Sequence, residues 1–228
     1  MILLIAHDPL FPPRALRALL LKRSVAYRTL RLHLGDPFPG DIHRFKAIVS
    51  LGGGMSAGDD GNFPFLRDEA SFLRRAVIAG VPVLGISLGA GILARALGGT
   101  VRRAPVEGRG WSTVRMTPAG RRDPLFAGLG ASLQAFHWHK ESFTLPPGAE
   151  LLATADACRN QAFRFAMSWG VQFNPEADAE AIEAWSIGSE EYVELRRLQP
   201  RLLPLWRRRA AVLFGNFLGM SAHVGRMT

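Results

Sequence analysis

A mainly parallel α/β sheet with helices on both faces is the fold class this sequence predicts, and three observations carry it. Apolar runs at residues 1 to 6, 46 to 51 and 81 to 86 have the length, and the lack of alternation, of strands buried on both faces. Stretches with apolar residues at helical spacing separate or follow these runs, as crossover connections between parallel strands require. The chain has 228 residues, of which 48% are hydrophobic and 21% charged. That composition suits one large domain, residues 1–228, with a sizeable core, and it excludes a disordered chain.

Met1 to Ala6 has no basic residues before it and no small-residue cleavage site, so it reads as a buried first strand and not as a signal peptide. The second run, Ala47 to Leu51, leads into Gly52-Gly-Gly-Met-Ser56. Leu66, Ala70, Leu73 and Val77 then recur at helical spacing, with Gly80 where a left-handed C-terminal cap belongs. The third run feeds Gly85-x-Ser87-x-Gly89 and a second apolar stripe, Ile92, Leu93, Ala96 and Leu97, which stops at Gly98. From Ser112 to Trp169 the pattern turns β-rich, with Leu133 to Phe136 and Glu150 to Thr154 set between Pro and Gly turns. Trp206, Ala210, Leu213 and Phe217 line one face of a final helix that Pro204 is expected to open.

The formal charge of +9 is mostly arginine, densest from Arg196 to Arg209. No nucleic-acid motif accompanies these arginines and no aromatics interleave with them, so nucleic acid is not an expected partner; they read first as a solvated face and second as a docking patch for an acidic protein. No apolar run approaches the roughly 20 residues that span a bilayer, so no membrane is expected and the cytoplasm is the expected compartment. Cys158 stands alone and forms no internal disulfide or Cys-based zinc site, so it reads as a structural thiol. His137 and His139 share a strand face without a third ligand, and no metal is expected. Gly52 to Gly54 lacks the ending of a P-loop and the spacing of a dinucleotide fingerprint, so no cofactor is expected either.

Gly85-x-Ser87-x-Gly89 has the spacing of a nucleophile elbow, in which small flanking residues allow a sharp strand-to-helix turn with the central side chain at its tip. Other blocks extend that pattern. Leu97-Gly-Gly99 follows the elbow, and Phe136-His-Trp-His139 leads on to Leu145-Pro-Pro-Gly148. Asn160-Gln-Ala-Phe-Arg164 precedes Trp169-Gly-Val-Gln-Phe-Asn-Pro-Glu176. In order and spacing these blocks resemble the class I glutamine amidotransferases of the GMP-synthase type, and the resemblance covers nearly the whole chain. It implies their flavodoxin-like α/β fold.

The resemblance also implies roles. Ser87 stands in the slot of the nucleophilic cysteine, Asn174 in that of the basic histidine, and Glu176 in that of the residue orienting the histidine. Oxyanion donors would be the backbone N–H of Leu88 and one from the Gly53-Gly54 loop. Gly91 stands where the family has a substrate-contacting glutamine. Serine is far less acidic than a thiol and needs a general base, which an amide cannot supply. Three departures in separate places exceed the single change of an engineered trapping variant.

The expectation is therefore a degenerate amidotransferase-like protein without glutaminase activity. It keeps a pocket for a small ligand, glutamine-like or another amide, or for a partner. One alternative is a Ser87-dependent amide or ester hydrolase with His139 or His7 as base. Another is a regulatory subunit that docks through its arginine-rich C-terminal region.

Overall fold

The structure, a computed structural model, describes residues 1–224. Among them nine strands form one sheet, and its order follows from which segments are apolar on both faces. The fully buried strands β1 (Ile2–Ala6), β3 (Ala47–Ser50), β4 (Val83–Ile86) and β9 (Ser168–Val171) lie side by side and parallel, with β2 (Tyr27–Arg31) parallel to β1 at the edge. Antiparallel pairing then continues from β9 through β8 (Ala162–Phe165), β7 (Glu150–Thr154) and β5 (Val101–Met116) to β6 (Ser132–Phe143). The sheet is thus mixed, with the expected parallel order confined to the block that carries the elbow.

Helices α1 (Arg14–Lys22), α2 (Phe65–Ile78) and α3 (Leu88–Ala96) supply the parallel crossovers, and α4 (Ala179–Ser186) follows β9. Gly80 closes the turn after α2 at φ +73°, the conformation expected of it. The last helix, α5 (Tyr192–Val224), departs from expectation: it starts twelve residues before Pro204 and runs through both Pro200 and Pro204. A proline inside a helix forfeits the hydrogen bond to the carbonyl four residues earlier. Spaced four apart, the two prolines share one exposed face, where water can serve the freed carbonyls. On the opposite side Leu195, Leu203, Trp206, Ala210, Leu213 and Phe217 are buried, so packing on both sides of the prolines holds the helix continuous. No helix among the described residues is long and apolar enough to cross a membrane.

Candidate functional site

Parallel strands deliver their C-terminal ends to one edge of the sheet, where ligands bind in open α/β folds. Ser87 follows β4 there at φ 51°, ψ −107°, a region costly for a residue with a side chain. Its neighbours make the turn sterically feasible. A Cβ on Gly85 would lie 2.5 Å from the Gly89 carbonyl oxygen, and one on Gly89 would collide with that of Ser50. The Ser87 N–H donates to Val171 O (2.8 Å), tying the elbow to β9. Serine at a helix N-cap ordinarily bonds back to the first turn, but Ser87 makes no such bond, and its hydroxyl has no hydrogen-bond partner among the described residues.

A cavity of about 440 Å3 opens above the elbow, lined by Gly53, Gly54, Ser87, Leu88, Gly91 and Gln172 and walled by residues of β5 and β6. Its donors are arranged from behind by a fully buried cluster. His7 Nε2 lies 2.6 Å from Glu69 Oε2, Ser50 Oγ donates to Glu69 Oε1 (2.7 Å), and His7 Nδ1 lies 3.2 Å from Gly52 O. The Gly52 carbonyl only accepts, so Nδ1 carries a hydrogen, and protonation of the ring adds a second N–H that the Glu69 carboxylate accepts. Burial opposes that charge, but the charge of Glu69 and its hydrogen bond outweigh the penalty and hold the His7 pKa above its usual value. In a trans peptide the N–H points opposite to the C=O. With Gly52 O fixed toward buried His7, the Gly53 N–H points away from it, and neither that N–H nor that of Leu88 has a partner among the described residues.

The other half of the site is closed. Asn174 is 0% exposed, and its side-chain amide is used at both ends: Oδ1 accepts from the Trp138 N–H (3.0 Å) and Nδ2 donates to Glu176 Oε1 (3.0 Å). Neither Asn174 nor Glu176 lines the cavity or bonds Ser87. They lie behind Gly52, where a Cβ would meet Glu176 Oε1 at 3.0 Å and Asn174 Nδ2 at 3.5 Å. Glu176 Oε2 has no hydrogen-bond partner among the described residues. Burial pushes the Glu176 carboxyl up to about 7, against the pull of the Asn174 hydrogen bond.

Neither histidine named as a substitute base is free to act on Ser87. Both His7 nitrogens are engaged as described. His139 Nδ1 faces Glu141 O (2.9 Å), a carbonyl, so it carries the hydrogen. Its Nε2 is buried against Gly108, where a Cβ would collide with it, and burial brings the ring down to about 4. His137 is likewise held to about 3 by burial and by His139 beside it. Gly91 packs rather than leaving room, since a Cβ there would come 3.0 Å from Ala57 Cβ. Cys158 is buried with Sγ donating to Ser142 Oγ (3.1 Å).

Two contributors escape a reading of motifs alone. Glu69 falls in the apolar stripe of α2, three residues after Leu66 and four before Leu73, and a lone acid on a buried helical face was the available signal. Gln172 lies in the block before Glu176, is 3% exposed, lines the cavity, and has no side-chain partner among the described residues.

Known proteins resemble this chain in sequence and in fold. Over 157 residues the chain is 31% identical to the glutamine amidotransferase-like protein YfeJ of Salmonella typhimurium, a match that spans 67% of this chain and 66% of that protein. It is 35% identical over 99 residues to one subunit of the glutamine-hydrolysing GMP synthase from Methanosphaera stadtmanae, 42% of this chain and 52% of that relative. These matches leave a third or more of each relative's length unaligned. Solved structures align further. A glutamine amidotransferase from Methylobacillus flagellatus superposes with TM-score 0.86 at 26% identity, covering 96% of this chain and 94% of that one. One from Thermotoga maritima gives 0.80 at 27%, covering 99% and 96%. The model of the family described as glutamine amidotransferase class-I matches residues 24–184, a span that contains the elbow, the Gly52 to Gly54 loop and the Asn174-Pro-Glu176 block. The chain therefore belongs to the class I glutamine amidotransferase family.

Proposed function

We propose that this family member binds a small ligand above Ser87 without hydrolysing it. The observation that carries this reading is the amide in the base slot. Asn174 has no titratable proton near neutrality and spends both ends of its side chain on Trp138 N–H and Glu176. Acyl transfer needs a nucleophile, a group that takes its proton, and donors for the oxyanion. Here the donors persist, the nucleophile is a weakly acidic hydroxyl, and no proton acceptor is hydrogen-bonded to it among the described residues.

The test is glutamine-dependent ammonia release by the purified protein across pH 6 to 9, beside fluorophosphonate labelling of Ser87. Expected are ammonia at the level of a Ser87→Ala control and slow, substoichiometric labelling. Ammonia release that Ser87→Ala abolishes overturns the reading. Fast labelling with ester turnover promotes the hydrolase alternative.

A second reading, docking of an acidic protein partner, draws on one observation. Arg201, Arg207 and Arg208 are exposed on α5 and form no ion pair among the described residues. Such charges mainly steer association and make it sensitive to salt.

A further inference from the structure

The balance of donors and acceptors around the elbow identifies the head group it suits. Four backbone carbonyls around the elbow are already bonded: Val171 O accepts from Ser87 N, Leu51 O from Gly89 N, Ser87 O from Gly91 N, and Gly52 O from His7. The carboxylates in the cavity wall are occupied as well. Glu141 accepts from Ser56 Oγ and the Ala57 N–H, and Asp8 accepts from the Leu10 and Gly54 N–H groups.

Beside the bare Nε2 of His139, what remains free around the elbow is mostly hydrogen on nitrogen and oxygen. The N–H groups of Gly53 and Leu88 lack partners among the described residues, and Leu88 opens the nine-residue helix α3, whose N-terminal end carries partial positive charge. Two polar side chains that line the cavity are more than nine-tenths buried and unpartnered among the described residues: Ser87 at 6% exposure, on the elbow, and Gln172 at 3%, beyond β9. Lys140 lines the same cavity and forms no ion pair among the described residues, whereas the other cation there, Arg109, is paired with Glu107 and stacked over Trp138.

We propose that the cavity above Ser87 selects a small molecule that presents a carboxylate to the Gly53 and Leu88 N–H groups, with Ser87 and Gln172 as further donors. This rests on the reading that the site binds without hydrolysing. A carboxylate only accepts, so it can take up every free donor, and the Gln172 amide can turn its NH2 toward it. A carboxamide offers those donors one neutral oxygen, so it forgoes the charge-assisted bonds that a carboxylate makes with backbone N–H groups at a helix N-terminus. Ser87 is uncharged where a thiolate would repel such a ligand, and the Asp8 and Glu141 carboxylates of the cavity wall are held by donors of their own.

L-glutamate and L-glutamine make the paired probe, since they match in size and differ in carboxylate against carboxamide. Calorimetric titration of the intact protein at pH 7.5 is expected to give at least tenfold tighter binding of glutamate. Ser87→Ala is expected to weaken glutamate severalfold more than glutamine. If Ser87→Ala or Gln172→Ala fails to fold by circular dichroism, the exposed Lys140→Gln keeps the test alive, because it too should narrow the preference. Glutamine bound equally or more tightly, without turnover, overturns the carboxylate inference and leaves the non-hydrolytic reading standing. Ammonia release during the glutamine titration overturns that reading instead. Failure of glutamate and succinate alike to bind at millimolar concentration overturns the carboxylate site.

Discussion

Glu69 and Glu176 are both fully buried, both stand behind the same glycine loop, and their partners give them opposite characters. Glu69 faces the His7 ring and accepts from Ser50, so both its oxygens have partners within the protein. Glu176 faces the neutral Asn174 amide, one of its oxygens is unmet among the described residues, and burial pushes its carboxyl up to about 7. Burial raises the Glu176 carboxyl because no cation among the described residues pairs with it. The amide of Asn174 thus leaves Glu176 a stranded acid, while the donor side keeps a cluster that orients the Gly52–Gly53 peptide. A binding function needs the first half of the site, and a hydrolytic one needs both.

Breaking the donor half should have the largest effect. Glu69→Ala strands the buried His7 charge, and truncating one member of a buried pair destabilises by about 3 to 5 kcal/mol, read from urea unfolding. The pH trend adds a second check. Because the folded pKa of His7 is raised, its stabilising contribution is complete below its unfolded value of about 6.5 and is lost as pH rises through the folded value. Wild type should therefore weaken on the alkaline side in a way that Glu69→Gln does not. A Glu69→Ala loss below about 1 kcal/mol would show that the cluster carries no paired charge.

The base half answers differently to pH. A buried acid with a raised pKa holds its proton more tightly folded than unfolded, so stability falls as pH rises from about 4.5 to about 7. A shift of that size corresponds to something on the order of 3 kcal/mol. Glu176→Gln keeps the bond from Asn174 and removes the ionisation. Thermal melts should find it more stable than wild type at pH 8 and nearly equal at pH 4.5. A wild-type curve flat between those values would mean that Glu176 has a cation or water that answers its charge.

The two halves were unequally legible in the sequence. Strands β1, β3 and β4 announce themselves because burial on both faces leaves uninterrupted apolar runs, and the elbow's glycines follow from sterics alone. The antiparallel half was harder. β5 carries Arg102, Arg103, Pro105, Glu107 and two glycines, and its register with β6 shifts between Arg103 and Gly108, so no clean alternation survives. Pro204 reads as a helix start because its exposure, which makes it tolerable inside α5, depends on packing against the rest of the fold. At the site, the slots of Ser87 and Asn174 were readable as residue types. The use of both ends of the Asn174 amide, and the alliance of His7 with Glu69 and Ser50 across three elements, are facts of geometry.

Rebuilding the base half should bring the smallest gain, and it tests how far the two halves have drifted apart. Ser87→Cys alone should release no more ammonia from glutamine than wild type, since thiolate formation and leaving-group protonation both call for a nearby imidazole. Asn174→His alone lacks the thiol. Together they should exceed either single variant by at least tenfold, about 1.4 kcal/mol of barrier, because members of a catalytic unit contribute little singly. The gain stays modest for a structural reason: an imidazole at position 174 must give up the amide's bond to Trp138 N–H or to Glu176, in a spot with no free volume toward Gly52. Adding Gly91→Gln should lower activity, since even its Cβ would press on Ala57 Cβ at 3.0 Å and Val101 Cγ2 at 3.3 Å. If the double variant folds and shows no more ammonia than Ser87→Cys, position 174 no longer addresses the elbow, and the donor half persists for binding alone.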